Sequence, residues 1–209
     1  PVFSNNGKMI AWESMERDGY EADKLRLMVH NFESGKTEYY TPYFDQNVGG
    51  LKFSNDDKWI YFISDYHAVD NIYKINIDDK AIKQLTDGVH DYTSVDFAAD
   101  GKLIGQKMSM SHPNEIWVID EATKEEKKIS TCNDDLMTKI KWGKVEERWL
   151  KATDGKDLHT WVIYPPDFDS TKKYPTLLYC EGGPQSTVSQ FWSYRWNFQI
   201  MAAHGYIVV

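Results

Sequence analysis

One short run in the chain has residue types that suggest chemistry. Glu181-Gly182-Gly183-Pro184 follows the apolar run Leu177-Leu178-Tyr179-Cys180 directly. Paired glycines let a backbone turn sharply and let a second molecule approach it closely. Other titratable residues are less focused. Glu13, Glu16, Asp18, Glu21 and Asp23 crowd one polar stretch, which reads either as a solvated loop or as a surface that meets a positive amino terminus. His67, His90 and His112 lie in polar links, none at metal-ligand spacing, and read as surface or hydrogen-bonding histidines. Cys132 and Cys180 form neither a disulfide framework nor a zinc motif. The sequence has no P-loop, dinucleotide GxGxxG, HExxH or calcium loop, so neither cofactor nor metal is expected. It also lacks the nucleophile elbow GxSxG; Gly183-Pro184-Gln185-Ser186 has the wrong spacing.

The elements around the glycine turn follow from hydrophobic pattern. A short apolar run at 177–180 suits a strand buried on both faces. Ser193 to His204 has helical spacing, with Trp196, Ile200 and Ala203 on one face, and Gly205 is a helix stop. His204 then reads as a charge or cap at the helix end. Tyr206 to Val209 begins a second buried strand. Upstream, Glu147 to Thr153 and Leu158 to Tyr164 read as strands joined at Asp154-Gly155 and stopped by Pro165-Pro166. This β-turn-α-β order leads to an α/β domain with more strands, so the sequence is expected to continue past Val209.

The rest of the chain repeats. Phe3-Ser4-Asn5-Asn6-Gly7-Lys8 is matched by Phe53-Ser54-Asn55-Asp56-Asp57-Lys58 and, more weakly, by Phe97-Ala98-Ala99-Asp100-Gly101-Lys102. The three phenylalanines stand 50 and 44 residues apart. Each copy reads as a strand, a polar turn and a second strand, followed by two more strands. Four antiparallel strands per repeat is the pattern of a β-propeller blade. About three blades do not close a ring of about four to eight, so further blades are expected upstream. Met15 to Asp23, Ser64 to Asp70 and Ser109 to Pro113 read as polar links on one rim, and Leu136 to Trp142 as one more strand. Gly143-Lys144 is the expected hand-over, giving residues 1–143 as propeller and 144–209 as the start of the second domain.

Composition excludes some partners. The chain has 209 residues, 41% hydrophobic and 14% aromatic, with a net charge of −8 and no basic block. That argues against nucleic acid or an anionic membrane as partner. No transmembrane run is present in the sequence.

FSxDGK-type blades, a lead-in hairpin with a TDG turn, the KKYPTLLYCEGGP run and a helix ending in GYIVV together resemble the prolyl oligopeptidase family of serine peptidases. The order of parts is similar to its dipeptidyl-peptidase and acylaminoacyl-peptidase branches, and the wording near Glu181 and Arg195 is most similar to the bacterial dipeptidyl-peptidase 5-like group. The resemblance covers essentially the whole chain. It implies a multi-domain protein: C-terminal blades of a β-propeller followed by the beginning of an α/β-hydrolase domain, with peptides as substrates. A Ser-Asp-His triad would lie beyond Val209, so no catalytic residue is assigned in this chain and the 209 residues alone are expected to be inactive. In the family the residue before the glycine turn helps form the oxyanion hole. Here it is Glu181, which cannot donate unless protonated. Either the backbone of Glu181-Gly182-Gly183 supplies the donor, or Glu181 binds a peptide amino terminus. The resemblance also allows a homodimer and favours a periplasmic or secreted location. The rival reading is a non-catalytic propeller module that binds a protein or glycan.

Overall fold

The structure is a computed structural model describing residues 1–183 and 186–209. Three four-stranded antiparallel units run in chain order. The first holds β1 (Val2–Phe3), β2 (Met9–Ser14), β3 (Arg26–Asn31) and β4 (Lys36–Tyr39). The second holds β5 (Gly49–Phe53), β6 (Trp59–Tyr66), β7 (Val69–Asn76) and β8 (Ile82–Gln84). The third holds β9 (Asp91–Phe97), β10 (Leu103–Ser109), β11 (His112–Ile119) and β12 (Glu126–Lys128). These are the propeller blades expected from the repeat. A single parallel pairing, Asp70 with Asp91, joins the second and third.

The repeated turn has one physical cause. Its fifth residue needs positive φ: Gly7 (70°), Asp57 (57°) and Gly101 (82°). In the first two copies a serine staples the turn shut. Ser4 Oγ accepts from Met9 N at 2.9 Å, and Ser54 Oγ accepts from Trp59 N at 3.0 Å. Alanine at position 98 removes the staple from the third copy, which is also the weakest match. The blades stack through apolar faces. Met9, Leu27, Val29, Phe53, Ile60, Phe62 and Ile75 pack between the first two. Tyr61, Ile72, Tyr92, Val95, Leu103 and Ile119 pack between the second and third. Each such side chain contributes on the order of 1.5–3 kcal/mol when buried.

The α/β unit after the blades is a sheet of β13 (Val145–Lys151), β14 (Asp157–Ile163), β15 (Thr176–Leu177) and β16 (Ile207–Val208), ordered β13-β14-β16-β15. β13 and β14 form the expected hairpin, and β15 and β16 are parallel. The crossover between them contains the helix α2 (Phe198–Ala203). This is the beginning of an α/β-hydrolase sheet, so the fold class read from the sequence stands. Among the described residues no helix is long and apolar enough to cross a membrane.

Several local expectations are corrected. The helix begins at Phe198, not Ser193. Ser193 Oγ accepts from Trp196 N at 2.9 Å and Asn197 Oδ1 from Gln199 N at 3.0 Å, so these side chains satisfy backbone donors ahead of the helix. Its buried face is Phe198, Gln199 and Ala202, whereas Trp196 and Ile200 are exposed. Leu136–Trp142 is not a strand. A short helix, α1 (Asp134–Met137), precedes a turn there, with Asn133 N and Nδ2 both held by Glu115 Oε1. Leu178 and Cys180 are exposed rather than buried on both faces, because β15 pairs on one side only and no described element covers it. The links at 64–70 and 109–113 are tight hairpin turns; His67 and Ala68 both take positive φ.

Candidate functional site

The two hairpin turns matter because each buries a residue against the β13–β16 sheet. Ala68 and Met110 are buried in one apolar cluster with Trp161, Ile163, Phe198, Ala202 and Val208 of the α/β unit. At this seam lies a cavity of about 440 Å³. His67, Ala68 and Met110 form its propeller wall, and Leu158 to Trp161, Ile163 and Val208 its sheet wall. Leu178, Tyr179, Glu181 and the segment Ser186–Val188 close a third side. The lining is mostly apolar, with few polar groups, as in small-molecule and peptide clefts.

The strand that carries the glycine turn is fixed by backbone pairing. Tyr179 N donates to Val209 O at 2.7 Å, and Val209 N to Leu177 O at 2.9 Å. Glu181 then follows at the cavity wall with an exposed side chain. A Cβ on Gly182 would meet nothing within 4 Å, so its backbone is open to approach. Ser186 Oγ donates to Gly182 O at 2.8 Å. Gly183 lies in a bend after them, and Pro184 and Gln185 lie outside the described residues.

The acidic stretch of the first blade is elsewhere: none of its residues lines this cavity. Asp23 instead accepts from Arg17 N at 2.7 Å and holds its guanidinium. Of the link histidines, His67 is exposed and His112 Nδ1 sits 2.7 Å from Pro113 O, but His90 is neither a surface nor a fully hydrogen-bonded histidine: its Nε2 is buried without a partner among the described residues, and burial pushes its ring down to about 4. His159 Nε2 meets Glu147 Oε1 at 3.0 Å and its ring lies between Trp149 and Trp161. His204 Nδ1 sits 2.8 Å from Ile200 O, in keeping with a helix-end cap. Two free cysteines, Cys132 and Cys180, are both exposed.

Beside the cavity lies a cluster that motif reading missed. Asp91 is fully buried where β7 and β9 meet. It accepts from Ser189 Oγ (2.6 Å), Gln190 N (3.1 Å) and Asp70 N (3.1 Å). Burial pushes its carboxyl up to about 6 despite these donors. Burial, then the charges of Asp91 and Asp65, push Asp70 up to about 7. A lone aspartate at a strand start and Ser189-Gln190 in a polar stretch give no motif to read.

No protein-family model matches the chain. Over all 209 residues the chain is 42% identical to dipeptidyl-peptidase 5 of Porphyromonas gingivalis, and it spans about 30% of that relative's length. Among solved structures, the acylaminoacyl peptidase of Pyrococcus horikoshii matches 97% of this chain and 30% of its own with a TM-score of 0.79 at 22% identity. Dipeptidyl peptidase 4 of Porphyromonas gingivalis matches 99% of this chain and 29% of its own with a TM-score of 0.69 at 19% identity. These structural likenesses concern the fold, whereas the 42% identity concerns the sequence itself. Sequence and fold converge: the chain belongs to the prolyl oligopeptidase family.

Proposed function

We propose that the complete polypeptide is a serine exopeptidase releasing short peptides, dipeptides first, from free N-termini. Identity of 42% along every residue to a dipeptidyl-peptidase 5 carries this reading. The seam cavity supports it, because blades on one side and a hydrolase sheet on the other enclose an apolar cleft with Glu181 on its wall. In this reading peptides lie in the cleft and the propeller limits what enters. The backbone of Glu181-Gly182-Gly183 borders the reacting carbonyl, and the Glu181 carboxylate meets the peptide's ammonium group. The nucleophile, base and orienting carboxylate stand beyond residue 209.

The test uses the complete polypeptide, a fluorophosphonate probe and a dipeptidyl fluorogenic substrate, free or N-acetylated. Labelling, with hydrolysis of the free-amine substrate only, is expected. Absence of labelling would leave a binding module instead of an enzyme. The isolated 209 residues should not label.

A further inference from the structure

The Ser186–Gln190 segment belongs to the α/β unit, yet the propeller holds it. Thr187 Oγ1 donates to Asp65 Oδ2 at 3.0 Å, at the end of β6. Ser189 Oγ and Gln190 N both donate to Asp91, at the start of β9. Met110 N points at Gln190 Oε1 from the β10–β11 tip, at 3.4 Å. Ser189 and Gln190 are themselves buried. Inward from this anchored stretch, Ser186 reaches back to the carbonyl of Gly182. The glycine turn is therefore tied to the second and third blades by a short chain of hydrogen bonds that Asp91 terminates.

We infer that Asp91 is a positioning residue: from the propeller it fixes the Ser186–Gln190 segment, and with it the Glu181–Gly183 turn. The inference rests on the reading of that turn as part of the peptide cleft. The groups packed against Asp91 from the other unit, Ser189 and Gln190, are uncharged. Those acting on Asp91 and Asp70 from the blades are carboxylates: Asp65 on both, and Asp91 on Asp70. The donors that cross the seam to Asp91 favour its charged form while burial opposes it, so the carboxylate depends on the segment it positions.

Hydrogen exchange at the Gln190 amide of the complete polypeptide reads this hold directly. After correction for intrinsic rates, Asp91→Ala should lower protection roughly tenfold or more, as expected for loss of hydrogen bonds to a charged group. It should also lower kcat/KM for the free-amine substrate, with Asp91→Asn restoring part of both. Ser189→Ala, a milder change, should do the same in smaller measure. Equal Gln190 protection in wild type, Asp91→Ala and Ser189→Ala overturns the inference. Exchange is read whether or not peptides are cleaved, so a protein that protects Gln190 but fails to hydrolyse defeats only the peptidase reading.

Discussion

Gly143 has no room for any other side chain. A Cβ there would sit 1.9 Å from Tyr164 O. Gln199 holds the same residue from the other side, accepting from Gly143 N at 2.9 Å and donating to Gly143 O at 3.1 Å and Ser111 Oγ at 2.9 Å. Gly143→Ala should cost about 1–3 kcal/mol through forced backbone movement. Gln199→Leu should cost about 1–3 kcal/mol for each backbone group it orphans. Urea unfolding of the complete polypeptide measures both, and a Gly143→Ala midpoint equal to wild type would contradict the packing described. At the cleft, Glu181→Ala should lower kcat/KM for free-amine peptides roughly tenfold or more, as expected for loss of a charge-assisted hydrogen bond. Unchanged kinetics would remove Glu181 from the cleft. At Gly143 the sequence showed only a change of pattern, and the close approach of Tyr164 was not legible because it comes from a strand end 21 residues on. Nor was the role of Gln199, because its partners lie 56 and 88 residues away.

At the scale of elements, the turn of the second blade also fastens the first. Asp57 accepts from Asn5 N (2.7 Å), Asn5 Nδ2 (2.8 Å) and Asn6 N (2.9 Å) while holding φ at 57°. Asp57→Ala loses these bonds and places alanine in the left-handed region, together about 1–3 kcal/mol. Asp57→Gly relieves the backbone and should lose less, a difference that thermal unfolding resolves. Equal losses would show that the backbone term is negligible. Strands of the blades were legible because the repeat fixes phenylalanine, turn and lysine at constant offsets. The start of α2 was not, since apolar spacing at 193–197 looks helical until Ser193 and Asn197 spend their side chains on nearby amides. Burial of β15 was misjudged for a different reason. An apolar run says that a strand can be covered, and only neighbouring elements say whether it is.

Across the whole molecule, hairpin tips of the blades lock into the α/β unit. Met110 enters the apolar cluster of the sheet from the tip of the β10–β11 hairpin and is 2% exposed. Met110→Ala should cost about 2–5 kcal/mol, as large-to-small changes in closed cores do. Calorimetry of the complete polypeptide should show the loss in the transition of the α/β unit; a shift confined to the blades would place the tip elsewhere. The order of blades followed by sheet was visible in the pattern, because period and turn chemistry are local. The seam was not, since Ala68 and Met110 sit in stretches whose polarity reads as rim. Their plugging has an evolutionary corollary. The 15–25 connection of the first blade has room to grow or shrink among relatives, but the paired left-handed residues at 67–68 leave no length to spare. Insertion scanning should find the first permissive and the second intolerant to a single added residue.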